Sequence, residues 1–89
     1  LKSLRTAEHA RLIALLAAAR EKAGLTQQQL ADRLGRPQSF VAKYEGGERR
    51  LDVVEFLAIA RALDLDPARA VKEIAGKYEK SGTPKASRS

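Results

Sequence analysis

Cysteine is absent from the chain, so no disulfide staple and no thiolate metal site can form. The single histidine, His9, cannot build a metal site alone, and its place near the start of the first helix reads as solvent-facing or first-turn rather than catalytic. No nucleophile–base pair and no phosphate-cradling glycine loop is visible, so an enzyme is not expected and neither is a cofactor. No apolar run approaches the ~20 residues of a membrane span. The first residues lack the apolar core and cleavage site of a signal peptide, which makes the cytoplasm the expected location. Strand signals are missing too: there is no sustained period-2 alternation, and β-branched residues are few outside short helical patches.

What remains is a helical, basic chain. Ala, Leu, Glu, Lys, Arg and Gln dominate, all good helix formers, and Gly and Pro fall at punctuation points. At 89 residues the chain is one small domain with a modest core, to which a second copy would add stability. Lys and Arg outnumber Asp and Glu by 17 to 11, for a formal charge of +6. That balance suits a polyanion, because each neutralised phosphate releases condensed counterions. By itself it is also compatible with a merely well-solvated surface.

Five helices are predicted. The first spans about Thr6 to Ala23, capped by Thr6 and stopped by Gly24, with Leu12, Ile13, Leu16, Ala19 and Ala23 facing a core. The second spans Gln27 to Leu34, opened by a Thr26/Gln29 capping box and closed by Gly35. The third spans Pro37 to Glu45, with Pro37 in the first turn and Gly46-Gly47 after it. The fourth spans Val53 to Leu63, with Asp52 and Glu55 as its capping pair and Val53, Phe56, Leu57, Ala60 and Leu63 as its apolar stripe. The fifth starts at Asp66-Pro67 and runs to about Tyr78, with Val71, Ile74, Ala75 and Tyr78 on a narrower stripe. Asp64 and Asp66 read as caps flanking a turn. Residues 1–80 are therefore expected to form the domain, and 81–89 a disordered basic tail.

The second and third helices with the tight turn at Gly35 carry the functional signal. At about 100° per residue, Val41 and Tyr44 fall together on the third helix, with Pro37 between them and Phe40 and Glu45 on the flanks. That face packs on Leu30 and Leu34. Ser39, Ala42 and Lys43 lie opposite, with Gln38 at the edge near the helix start. No bulky apolar residue interrupts this outer face, which suits either water or base edges in a DNA major groove. Gln38 can pair with adenine N6 and N7, Lys43 can donate to guanine, Ser39 can serve several bases, and Ala42 can touch a thymine methyl. Phosphate contacts are expected at the motif's edges. Thr26 and Gln27 open the second helix, whose N–H groups attract an anion, and the segment Gly46-Gly47-Glu48-Arg49-Arg50 allows close approach of the backbone and supplies two guanidinium groups.

From Arg20 to Leu65 the sequence resembles the phage-repressor/Cro type of helix-turn-helix regulator, the xenobiotic-response-element-like family. The likeness rests on Leu25-Thr26-Gln27, Leu30-Ala31, Leu34-Gly35, Gln38-Ser39, Val41, Lys43, Glu45, Gly47 and the Leu/Ala pattern of the fourth helix, in order and without gaps. It implies an all-α, compact five-helix bundle, the lambda-repressor-like DNA-binding domain, and a homodimer on a palindromic site of double-stranded DNA. It further implies base-facing positions for Gln38, Ser39 and Lys43, a phosphate-facing one for Gln27, and a structural ion pair between Arg20 and Glu45.

Three positions depart from the family pattern. Pro37 replaces the usual small polar cap. Phe40 stands where many members have a polar residue, either extending the core or touching the DNA sugar edge. Gly46 replaces an asparagine or arginine and so removes one side chain from the phosphate contacts. The expected function is a small bacterial or phage transcription regulator, a repressor on a promoter. The competing reading is an antitoxin or antiactivator that uses the same fold to bind a toxin or another regulator. Acidic residues such as Asp32 and Glu48 would favour it if they cancelled the field around the outer face.

Overall fold

The computed structural model describes residues 6–82, with side chains described through residue 76. Five helices follow one another: α1 Ala7–Lys22, α2 Gln27–Leu34, α3 Gln38–Glu45, α4 Val53–Ala62 and α5 Pro67–Gly82. Helix α2 packs on α3 and α4, α1 packs on α3 and α5, and α5 also meets α4. The all-α five-helix bundle expected from the sequence is the fold observed.

Local chemistry sets the boundaries. Thr6 accepts from the His9 N–H and opens α1. Thr26 and Gln29 form a reciprocal capping box at α2, and Asp52 and Glu55 form another at α4. Asp66 Oδ1 accepts from the N–H groups of Ala68 and Arg69 at the start of α5. Four helix ends share one closure, in which an N–H beyond the helix reaches back to a carbonyl five residues earlier: Leu25 to Arg20, Arg36 to Ala31, Glu48 to Lys43 and Leu65 to Ala60. Each needs a left-handed residue just before the donor. At the second it is Gly35 (φ +66°), and at the fourth a non-glycine, Asp64 (φ +56°), does the same job. A Cβ at Gly35 would meet no atom within 4 Å, so the cost of adding one is purely backbone. Gly35→Ala is therefore expected to lower stability by about 1–2 kcal/mol, read from denaturant midpoints. An unchanged midpoint would mean that the turn does not hold this conformation in solution.

The core is Leu16, Leu30, Ala31, Phe40, Val41, Tyr44, Ile59 and Leu63, with Leu12, Ile13, Ala19, Leu34 and Phe56 packed around it. Several expectations are corrected. His9 is buried, not solvent-facing, because it extends the Leu12–Ile13–Leu16 stripe by one helical step. Ala23 is exposed at the C-cap of α1. Pro37 precedes α3 as its N-cap, with extended backbone (ψ 153°), and is exposed rather than part of the buried face. Val53 is 72% exposed, since it is the first residue of α4 and the inward face is carried by Phe56, Ile59, Ala60 and Leu63. Val71 is likewise half-exposed on the outer side of α5, whereas Ala70 is buried. Helix α5 continues to Gly82, past the expected stop near Tyr78. The side chain of Tyr78 and the basic tail at 83–89 lie outside the described residues.

Candidate nucleic-acid interface

Helix α3 is held by its inner face. Val41 and Tyr44 are fully buried and Phe40 nearly so. The phenol of Tyr44 is pushed well above its ordinary pKa, first by burial and then by the neighbouring Glu45 carboxylate. Its hydroxyl has no hydrogen-bond partner among the described residues. Gln38, Ser39 and Lys43 are exposed on the opposite face, and Ala42 is half-buried between them. The outer face read from the sequence is thus presented to solvent as one strip.

Behind this strip runs a chain of polar contacts. Arg20 on α1 donates through Nε to Glu45 Oε2 at 2.8 Å and through Nη2 to Oε1 at 3.1 Å, a bidentate fork at the last residue of α3. Both side chains are almost dry, 12% and 8% exposed. Arg20 Nη1 also donates to the Leu25 carbonyl at 2.7 Å. The Glu45 hydrogen bond raises the Arg20 pKa further, against the opposing effect of burial, so the guanidinium stays charged. Gln27, at the first position of α2, donates to Glu45 Oε1 at 3.0 Å, and its own Oε1 accepts from Gln38 Nε2 at 2.8 Å. Four side chains therefore link α1, the start of α2 and both ends of α3. Gln27 was expected at a phosphate; its carboxamide is instead turned inward on both atoms. The gain is orientation of Gln38, whose carbonyl and second N–H are left to face outward.

A second cluster surrounds Phe40, and it settles that residue as core. The ring packs edge-on against Tyr44 with centroids 5.4 Å apart. Two guanidinium groups lie over it, Arg36 at 4.0 Å and Arg49 at 4.9 Å from the centroid. Arg49 forks onto Glu55, Nη1 to Oε1 at 2.9 Å and Nη2 to Oε2 at 2.8 Å, and Nη1 also donates to the Arg50 carbonyl. Arg49, expected at a phosphate, thus clamps the α3–α4 loop to α4, while Arg50 beside it is exposed. Arg36 Nη2 stands 3.7 Å from the same carboxylate. Sequence reasoning missed Arg36 altogether and saw Glu55 only as a cap. Nothing in a linear pattern joins positions 36, 40, 49 and 55.

The Arg49 hydrogen bonds, with help from the Asp52 N–H, lower the Glu55 pKa from 4.5 to about 2. A depressed carboxylate contributes stability that is present above its unfolded pKa and lost as pH falls through the folded one. The window for this group is therefore roughly pH 4.5 down to 2. Glu55→Gln should flatten the acid limb of the stability–pH curve in that window. An acid limb identical to the native one would rule out the clamp in solution.

Residues 11–71 match the family model of a helix-turn-helix domain. A solved structure described as an XRE-family like protein from Pseudomonas syringae pv. tomato is 44% identical, covering 93% of this chain and 95% of its own, with a TM-score of 0.76. The chain belongs to the XRE family of helix-turn-helix proteins. Another similar structure is the restriction-modification controller protein C.AhdI from Aeromonas hydrophila, 32% identical over 73% of this chain and 98% of its own, TM-score 0.67. The clp gene regulator ClgR from C. glutamicum shares the fold at 22% identity, over 82% of this chain and 95% of its own, TM-score 0.71. No curated protein sequence matches the chain. Membership in the XRE family makes this a DNA-binding protein of transcriptional regulation, with α2 and α3 as its helix-turn-helix. Among its described residues no helix is long and apolar enough to cross a membrane.

Proposed function

We propose that this XRE-family chain is a repressor that occupies a palindromic operator as a homodimer, with α3 of each copy in a major groove. The observation that carries the reading is the Gln27–Gln38 contact at the groove-entering end of α3. A glutamine whose amide is already oriented loses less freedom on pairing with adenine than a free one. Ser39, Ala42 and Lys43 continue the base-facing strip, while Thr26, the backbone N–H of Gln27 and Arg50 flank it on the phosphate side. A second copy places the same strip on the second half-site.

Selection of bound sites from a random duplex pool at near-physiological salt tests this directly. The expected product is a two-fold sequence with half-site centres about one helical turn apart, or a multiple of it. Binding without enrichment of any sequence, abolished by salt, would replace the reading with charge attraction alone. Occupancy of a promoter by the native chain should then lower transcription from it in a reconstituted assay. A rise in transcription would assign activation instead.

A further inference from the structure

We infer that Arg36, in the turn between α2 and α3, is a phosphate anchor for the DNA backbone, and that Phe40, Glu55 and Arg49 position it. The inference rests on the DNA-binding reading above and adds a residue to its contact surface.

Glu55 is shared between two arginines. Its two oxygens receive both terminal nitrogens of Arg49 at 2.8–2.9 Å. They also receive the Asp52 N–H at 3.0 Å. Three of the carboxylate's roughly four acceptor sites are thus taken by shorter bonds, and Arg36 is left with the longer approach to Oε2. At 3.7 Å, Arg36 makes an ion pair but not a hydrogen bond. Two guanidinium groups share the Glu55 carboxylate, the neighbouring Asp52 charge acts on Arg49, and Arg36 is the more loosely held of the two. Among the described residues the Arg36 side chain makes no hydrogen bond, so its five N–H donors are open, and it is 41% exposed.

Openness alone would describe any surface arginine. Arg36 differs in being held. Its guanidinium lies 4.0 Å from the centroid of Phe40, a ring that is itself 6% exposed and fixed on Tyr44. The stack and the long ion pair restrict the side chain without using its donors. A planar fork fixed in this way suits a phosphodiester, which takes two parallel N–H groups. Position completes the case: Arg36 lies two residues before Gln38, at the end of α3 that enters the groove.

The test uses the full chain on a mixed-sequence duplex and on the selected operator, across a salt series. Arg36→Gln is compared with Arg69→Gln, a charge-matched control on α5. The expected result is a loss of roughly 0.9 in the slope of log K against log salt per bound copy, and about an eight-fold weaker affinity per copy at 0.1 M salt. The melting temperature should stay at the native value, and Arg69→Gln should leave the slope unchanged. Arg36→Lys should restore part of the slope, as charge without the fork. A native slope in Arg36→Gln, or a loss equal to that of Arg69→Gln, overturns the inference while leaving operator binding intact. A lowered melting temperature with the native slope also overturns it, by assigning Arg36 to structure. Enrichment of no sequence, with the slope loss still seen on mixed duplex, would sink the operator reading and keep the anchor. Absence of any duplex binding at low salt would remove both.

Discussion

Glu45→Ala should lower the stability of the chain by about 3–5 kcal/mol, the cost of leaving a buried charge without its partner. Domains of this size hold roughly 0.05–0.15 kcal/mol per residue, so the loss is a large share of the total. The reason is an asymmetry in the pair. A carboxylate left alone can take up a proton, but a guanidinium cannot shed one. Arg20 would keep its charge at 12% exposure, with the Leu25 carbonyl as its remaining hydrogen-bond acceptor and the exposed, weakly paired Glu21 carboxylate 3.8 Å away as its counter-charge. Glu45→Gln keeps an acceptor for Arg20 and Gln27 and should lose much less. Replacing both partners with apolar side chains of similar volume should come near neutral, because the desolvation of two charges disappears with their attraction. Urea titrations of the three variants decide the matter. Equal, small losses throughout would show the pair to be solvated and inconsequential. If the double replacement folds well yet binds its operator less selectively, the pair serves the angle of α3 rather than its stability.

Gln38→Ala has the largest effect expected on recognition, about 1–3 kcal/mol in each half-site and concentrated at one base pair. Gln27→Ala should lose part of the same discrimination without touching a base, since Gln27 Oε1 holds the Gln38 amide. The two should be non-additive, with a coupling of about 0.5–3 kcal/mol in a double-mutant cycle. Competition binding against operators altered one base pair at a time reads both effects. A uniform weakening over all sequences would move Gln38 from base reading to backbone contact. Additive losses would disconnect the two glutamines. Lys43→Ala should relax preference at a different base pair, and a shift at the same one would contradict the spacing along α3.

Much of this architecture was readable because helix ends are written locally. Thr26 with Gln29 and Asp52 with Glu55 start α2 and α4 where the capping rule puts them, and Gly35 ends α2 in the left-handed conformation. The strip of Gln38, Ser39 and Lys43 follows from helical spacing once Val41 and Tyr44 are assigned inward. The misreadings arise where a neighbour, not a period, decides burial. His9 carries a polar ring on an apolar stripe, and Val53 an apolar side chain at a helix start with nothing over it. Phe40 could be placed only by seeing Arg36 and Arg49 close over it from two different loops. Gln27 faces inward because Glu45, distant in sequence, offers it a charged acceptor.

The division of labour on α3 has a bearing on how such a regulator changes targets. Among the described residues the side chains of Ser39 and Lys43 make no hydrogen bond or ion pair with the rest of the protein, whereas the inward side chains and Glu45 are committed to it. Substitutions at those two outward positions therefore cost the fold little. A duplicated copy could drift to a new operator through them while its scaffold stayed under the old constraint. Gln38 is the exception, tied to Gln27, and would be the slowest letter of the address to be rewritten.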